Sequence, residues 1–207
     1  MFVHFHGDLL AIDIYTGRDL WKASGISSSG FVAVEDGVYV LSGSTCLRLD
    51  PATGSKLGQI DVPAASTKEK RSWGAFRIWD KYFVGTTGKA FRFPHPFEFD
   101  FVGAAGKELI CLDRQSGKTL WRFQPKRDGL SFALGAGKVF VAAADEHRLY
   151  ALDQDTGAVA WSFQAGGRID SPPTIDSPCT YSTRSSMPGI TSRLMSPHRK
   201  PLGSPSG

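Results

Sequence analysis

From Met1 to Asp176 the apolar residues fall in short runs that stop at turn-forming residues rather than recurring at helical spacing. Leu9-Leu-Ala-Ile12, Leu109-Ile-Cys-Leu112 and Leu149-Tyr-Ala-Leu152 have the length of buried strands, and an Asp follows each. Phe31-Val-Ala-Val34 and Val38-Tyr-Val40 flank Glu35-Asp36-Gly37, while Phe76-Arg-Ile-Trp79 and Tyr82-Phe-Val84 flank Asp80-Lys81. Leu134-Gly-Ala-Gly137-Lys-Val-Phe-Val141 follows the same plan. β-prone runs punctuated by Gly and Asp predict antiparallel strands in tight hairpins, and hence an all-β chain.

The hairpins recur. Asp13-Ile-Tyr-Thr16-Gly17, Asp50-Pro-Ala-Thr53-Gly54, Asp113-Arg-Gln-Ser116-Gly117 and Asp153-Gln-Asp-Thr156-Gly157 align without gaps. Four residues past each Gly stands Trp21, Gly58, Trp121 or Trp161. The steps between the aspartates are 50 − 13 = 37, 113 − 50 = 63 and 153 − 113 = 40. Two steps match a unit of about 40 residues, and the long one implies an insertion of about 25 residues, placed at about 88–107. In each motif the Asp carboxylate is suited to accept backbone N–H groups of its own turn, and Gly supplies a positive φ. With the hairpin upstream, each unit carries four antiparallel strands, the signature of a β-propeller. The lone Trp79-Asp80 pair lies at a first hairpin turn, out of place for a WD40 repeat.

The pattern Ala-x-Asp-x-x-Thr-Gly-x-x-x-Trp resembles the tryptophan-docking repeat of the β-propellers related to the pyrroloquinoline quinone (PQQ) dehydrogenases. That family includes the quinoprotein alcohol dehydrogenases and the propeller lipoprotein of the bacterial outer-membrane assembly machinery. The resemblance covers residues 1–176 and is specific in units one, three and four, whereas Gly58 replaces the Trp in unit two. It implies that Trp21, Trp121 and Trp161 pack between adjacent blades. It also implies a bacterial protein in the periplasm or cell envelope, although Met1–Gly17 has no basic stretch and apolar core of a signal peptide. The resemblance further implies relatives that usually form rings of seven or eight blades.

Aligned on the Asp, Met1-Phe2-Val3 falls on Val38-Tyr39-Val40, so unit one is expected to start at its second strand. Ser171-Pro-Pro-Thr-Ile175-Asp176 is expected to supply an opening strand. Either that strand completes the first unit and closes four blades, or the chain is an arc of a larger ring. Four closed blades demand a steep angle between neighbours, which favours the arc. Residues 177–207 are expected to form a disordered tail, with Ser and Pro abundant and no period.

Charge follows this division. The chain is +4 overall, but Arg184, Arg193, Arg199 and Lys200 all lie in the tail, where no acidic residue occurs. The propeller segment is therefore neutral, and no motif for specific nucleic-acid recognition accompanies the basic tail. No apolar run reaches the length of a membrane-spanning helix.

Candidate chemistry is sparse. Cys46, Cys111 and Cys179 are scattered, and His4, His6, His95 and His147 lack partners at metal-ligand spacing. No Gly-x-Ser-x-Gly elbow, Walker loop or dinucleotide fingerprint is present. The resemblance to quinoprotein dehydrogenases would imply vicinal cysteines beside PQQ and calcium held by Glu, Asn and Asp. No two cysteines here are adjacent, and the chain has no Asn. The expected protein is a non-catalytic scaffold without cofactor or metal, with protein partners through self-association or further blades. The alternative is part of a PQQ-dependent dehydrogenase whose active site lies outside these residues. Within the insertion, Phe97, Phe99 and Phe101 alternate with Glu98 and Asp100. Their apolar face is expected either to pack on its own blade or to meet a partner.

Overall fold

The computed structural model describes residues 1–26, 30–64, 71–88, 106–169 and 171–175, and the backbone of 90–93 and 101–104. The chain divides into Met1–Ser177 and Pro178–Gly207, and the second unit, with the expected tail, lies outside the described residues.

The first unit is an incomplete β-propeller of four blades. Strands β1 (Phe2–Phe5), β2 (Asp8–Ile12) and β3 (Asp19–Ser24) form a three-stranded sheet in that order. The second blade is β4 (Phe31–Val34), β5 (Gly37–Ser42), β6 (Thr45–Leu49) and β7 (Lys56–Asp61). The third contains β8 (Ser72–Trp79) and β9 (Tyr82–Gly88). A separate hairpin of β10 (Ala90–Phe93) and β11 (Phe101–Ala104) precedes its remaining strands, β12 (Glu108–Asp113) and β13 (Thr119–Phe123). The fourth is β14 (Leu130–Gly135), β15 (Lys138–Ala143), β16 (Arg148–Asp153) and β17 (Val159–Gln164). All pairings are antiparallel. The insertion leaves the blade after β9 and returns at β12, which pair directly, Leu109 opposite Thr86. That is why a long insertion disturbs no blade.

The first strands β4, β8 and β14 approach one another and place the second, third and fourth blades side by side. Three apolar clusters then fill the spaces between blades. Leu9, Val38, Val40 and Leu49 join the first to the second. Tyr39, Leu41, Ile60, Trp73, Phe76, Phe83, Ile110 and Leu112 join the second to the third. Val84, Leu109, Cys111, Trp121, Phe132, Val139, Val141 and Leu152 join the third to the fourth. The middle strands are apolar on both faces because each face meets a neighbouring blade, as Val38–Leu41 shows with every side chain buried.

All four units share a β-bulge. The ladder shifts at Ala11/Ile12, Arg48/Leu49, Cys111/Leu112 and Ala151/Leu152. The shift leaves one residue before each Trp or Gly58 position unpaired, and these bulged strands twist more strongly than a regular ladder.

One expectation needs correction. Ser171–Ile175 forms no strand and does not pair with β1, whose only ladder partner among the described residues is β2. Ile175 instead lies against Gly135 of β14, its Cδ1 2.9 Å from where a Cβ would stand on that glycine. Pro172 and Pro173 lack N–H donors, so this stretch is poorly equipped to extend a ladder.

Candidate functional site

The repeated Asp turns are built alike. Asp13 Oδ1 accepts the N–H groups of Tyr15 and Thr16 at 2.8 and 2.9 Å. Asp50 Oδ1 accepts those of Ala52 and Thr53 at 2.8 and 2.9 Å. Asp113 takes the N–H and hydroxyl of Ser116, and Asp153 those of Thr156. Each carboxyl is held below its usual range, at Asp13 and Asp50 first by backbone N–H bonds and at Asp113 and Asp153 first by the Ser116 and Thr156 hydroxyls. These aspartates are committed to their own turns.

The glycine closing each turn has φ between 69° and 71°. At two of the four turns the space beside it is filled from the preceding blade. Trp21 of β3 crosses to the second blade, donates Nε1–H to the Pro51 carbonyl at 3.0 Å and lies against Gly54. Trp121 of β13 crosses to the fourth blade, donates to the Gln154 carbonyl at 2.9 Å and lies against Gly157. Both acceptors are the residue directly after the turn Asp. A Cβ on Gly54 or Gly157 would stand 2.7 or 2.6 Å from the indole, so only glycine permits this approach.

Gly17 and Gly117 have no heavy atom within 4 Å of the same point among the described residues. For Gly117 the reason lies in the second blade, where Gly58 stands opposite Arg48 in the ladder. The equivalent pairs are Trp21 with Ala11, Trp121 with Cys111 and Trp161 with Ala151. The second blade thus exchanges a large side chain and a small one across one rung. Arg48 reaches Asp36 at 3.5 Å, and Asp36 also faces Arg114 of the third blade at 3.4 Å and accepts from the Tyr39 hydroxyl at 3.0 Å. An ion network therefore lies at the junction whose Arg48–Gly58 rung carries no Trp. Trp73 adds to it from the third blade, donating Nε1–H to the Ile60 carbonyl at 3.3 Å. Sequence reasoning passed over Arg48 and Trp73. The Gly58-for-Trp exchange, read with the residue opposite, was the available signal.

Trp161 differs from its equivalents. It sits on the face of β17 turned away from the third blade, tilted on Phe140, and remains 44% exposed, whereas Trp121 is buried. Phe97 and Phe99 lie outside the described residues, and for Phe101 the description is limited to its backbone, paired with Phe93.

Other polar groups serve the framework. Glu108, buried at the base of the insertion, pairs with Arg71 at 2.6 Å and Arg122 at 3.2 Å. Tyr82 donates its hydroxyl to Asp155 across the third junction. Cys46 and Cys111 are buried in separate blades, and burial pushes each thiol up to about 12. A vicinal pair beside a quinone cannot be made from them. Together with the absence of Asn from the sequence, the donor set does not fit PQQ with its calcium. Among the described residues no three His, Cys, Asp or Glu side chains gather where a metal ion could sit. No helix among them is long and apolar enough to cross a membrane.

Antiparallel blades repeating at this spacing are those of a PQQ-like propeller repeat protein. The family model of the outer membrane protein assembly factor BamB matches residues 48–178, and the chain belongs to that family. A comparison with curated protein sequences found no match. Among solved structures, the quinohemoprotein alcohol dehydrogenase of Comamonas testosteroni is similar over 76% of this chain, with 16% identity and a TM-score of 0.55. The computationally designed protein Ika8 is similar over 85%, with 14% identity and a TM-score of 0.60. A europium-containing methanol dehydrogenase is similar over 79%, with 11% identity and a TM-score of 0.54. The matched regions are 32%, 52% and 39% of those chains, so this chain spans a third to a half of their lengths. At these identities the likeness is one of fold.

Proposed function

We propose that the chain is a non-catalytic propeller scaffold whose blade faces and loops bind protein, with Trp21, Trp121 and Trp161 acting as interblade docking residues. The observation that carries this reading is the disposition of its polar groups. The repeat aspartates are satisfied within their turns and the thiols are buried, while Phe5, Trp161 and Phe163 leave apolar surface in water. Apolar patches left in solvent mark interaction sites. Family membership supports a place in the bacterial cell envelope. The Phe97, Phe99 and Phe101 face is a second proposed contact surface, resting on its sequence pattern, and residues 177–207 are proposed as a tail outside the propeller.

The second reading, part of a PQQ-dependent dehydrogenase, is favoured by one observation. The fold matches such an enzyme over only 32% of the enzyme's length, which leaves room for an active site in other blades. Titration with PQQ and calcium discriminates the two. The scaffold binds neither at micromolar concentration, and saturable PQQ binding would establish the dehydrogenase reading instead.

A further inference from the structure

At the junction between the second and third blades two arginines share one carboxylate. Arg48 of β6 and Arg114, from the turn between β12 and β13, both pair with Asp36. The separations are 3.5 and 3.4 Å, and each guanidinium meets a single oxygen, whereas a charge-assisted hydrogen bond spans about 2.7–2.9 Å. Asp36 Oδ2 is engaged further by the Tyr39 hydroxyl at 3.0 Å. Arg48 Nε, Arg114 Nε and Asp36 Oδ1 are enclosed and make no hydrogen bond, so the cluster is not satisfied within the chain. Glu108 provides the contrast. It holds Arg71 and Arg122 at 2.6 and 3.2 Å with its side chain only 7% exposed, which leaves no room for a third group. Arg48 and Asp36 remain 32% and 31% exposed.

Open space adjoins this loose cluster. Arg114 belongs to the same turn as Gly117, and no heavy atom lies within 4 Å of where a Cβ would stand on Gly117. The corresponding space at Gly54 and Gly157 is large enough to hold an indole. Asp113, the turn's own carboxylate, is taken up by Ser116, while Lys118 beside Gly117 is exposed. Arg48 and Arg114 thus approach from two interior blades, each with both its neighbours in place.

We propose that the opening over Gly117 receives a carboxylate between Arg48 and Arg114, supplied by an Asp or Glu side chain in an acidic segment of a partner protein. This rests on the scaffold reading and names the chemistry of the partner. The planar guanidinium fork pairs best with a carboxylate that offers it two oxygens. Asp36 divides its oxygens between two forks, and a second carboxylate gives each arginine one of its own. The added charge also balances the cluster, which two arginines and one aspartate leave positive by one. A phosphate dianion overshoots that balance beside Asp36. Partial burial of both arginines strengthens the pairing relative to one in bulk water.

The test is fluorescence anisotropy of a labelled tetraglutamate peptide titrated with the full chain. Binding is expected to saturate, and unlabelled tetraglutamate is expected to displace the probe where tetraglutamine does not. Arg48→Gln and Arg114→Gln should each weaken binding about tenfold or more, as loss of a charged hydrogen-bond partner does. Arg77→Gln, exposed on β8, should leave it unchanged. Gly117→Asn keeps both arginines and, because Asn tolerates positive φ, keeps the turn while its side chain enters the opening. It should weaken binding with the unfolding midpoint preserved. Absence of saturable binding overturns the proposal, as does an equal loss in Arg77→Gln or natural affinity in Gly117→Asn. Displacement by inorganic phosphate more readily than by tetraglutamate overturns the carboxylate assignment. Failure of this site is read from the peptide and failure of the scaffold reading from the PQQ titration, so the two are distinguishable.

Discussion

The indole of Trp121 lies against Gly157, so close that a Cβ on the glycine would stand 2.6 Å from Cδ2 and 2.7 Å from Cγ. Gly117, at the same place in the preceding turn and with φ within 2° of Gly157, faces open space among the described residues. The pair separates the two demands placed on a turn glycine. Gly117→Ala carries only the left-handed backbone penalty, about 1–2 kcal/mol. Gly157→Ala carries that penalty and displaces Trp121, adding about 1–3 kcal/mol as overpacking does. Urea midpoints of the two variants measure the difference, and equal values would mean that the Trp121 contact contributes nothing.

Trp121 and Trp161 are equivalent in sequence and different in burial. Trp121→Ala is expected to cost about 3–5 kcal/mol, as for a large aromatic removed from a core. Trp161→Ala is expected to cost about 1 kcal/mol or less, since its ring faces water on one side. Equilibrium unfolding of both variants gives the comparison, and equal losses would show that Trp161 is already covered.

The exchange at the second junction predicts coupling between Arg48 and Gly58. Gly58→Trp alone brings an indole against the Arg48 side chain and is expected to destabilise by about 1–3 kcal/mol. Adding Arg48→Ala recreates the Ala–Trp rung of the first and fourth blades and opens the way to Gly117. The double variant is therefore expected to be more stable than the Gly58→Trp single by at least about 1 kcal/mol, a favourable interaction in a double-mutant cycle. Strict additivity would show that Arg48 does not occupy the indole's place.

Stability should fall at both ends of the pH scale for opposite reasons. Cys46 and Cys111 ionise at about 12 when folded, above the ordinary thiol value of 9.0. Tyr150, raised by burial and by Glu146, also sits at about 12. Raised values mean that these groups contribute fully below their unfolded pKa, and the contribution declines as pH rises from about 9 toward 12. Asp13, Asp50, Asp113 and Asp153 are lowered, so their contribution is present above 3.8 and disappears as pH falls through the folded values. Unfolding midpoints across pH should form a plateau with losses beyond both limits. Alkylation should leave Cys46 and Cys111 unmodified near pH 8 until the protein unfolds.

The strand content, the four-stranded unit and the turn at each Asp follow from local rules acting on a few consecutive residues. Apolar runs of strand length need a pleated, buried setting, and Asp-x-x-Thr/Ser-Gly closes a turn with its own side chain. These were legible in Asp50–Gly54 or Asp153–Gly157 taken alone, and recurrence near 40 residues made them blades. Tertiary structure decided what each Trp touches. Trp21 and Trp121 find the turn of the following blade some 30 residues on, whereas Trp161 has an identical local context and remains exposed. Likewise, Arg48 reads as an ordinary strand residue until Asp36 and Arg114 are brought beside it from another hairpin and another blade. Turn formation is local, so sequence determines it. Burial and ion pairing depend on which neighbour arrives, and only the assembled blades determine that.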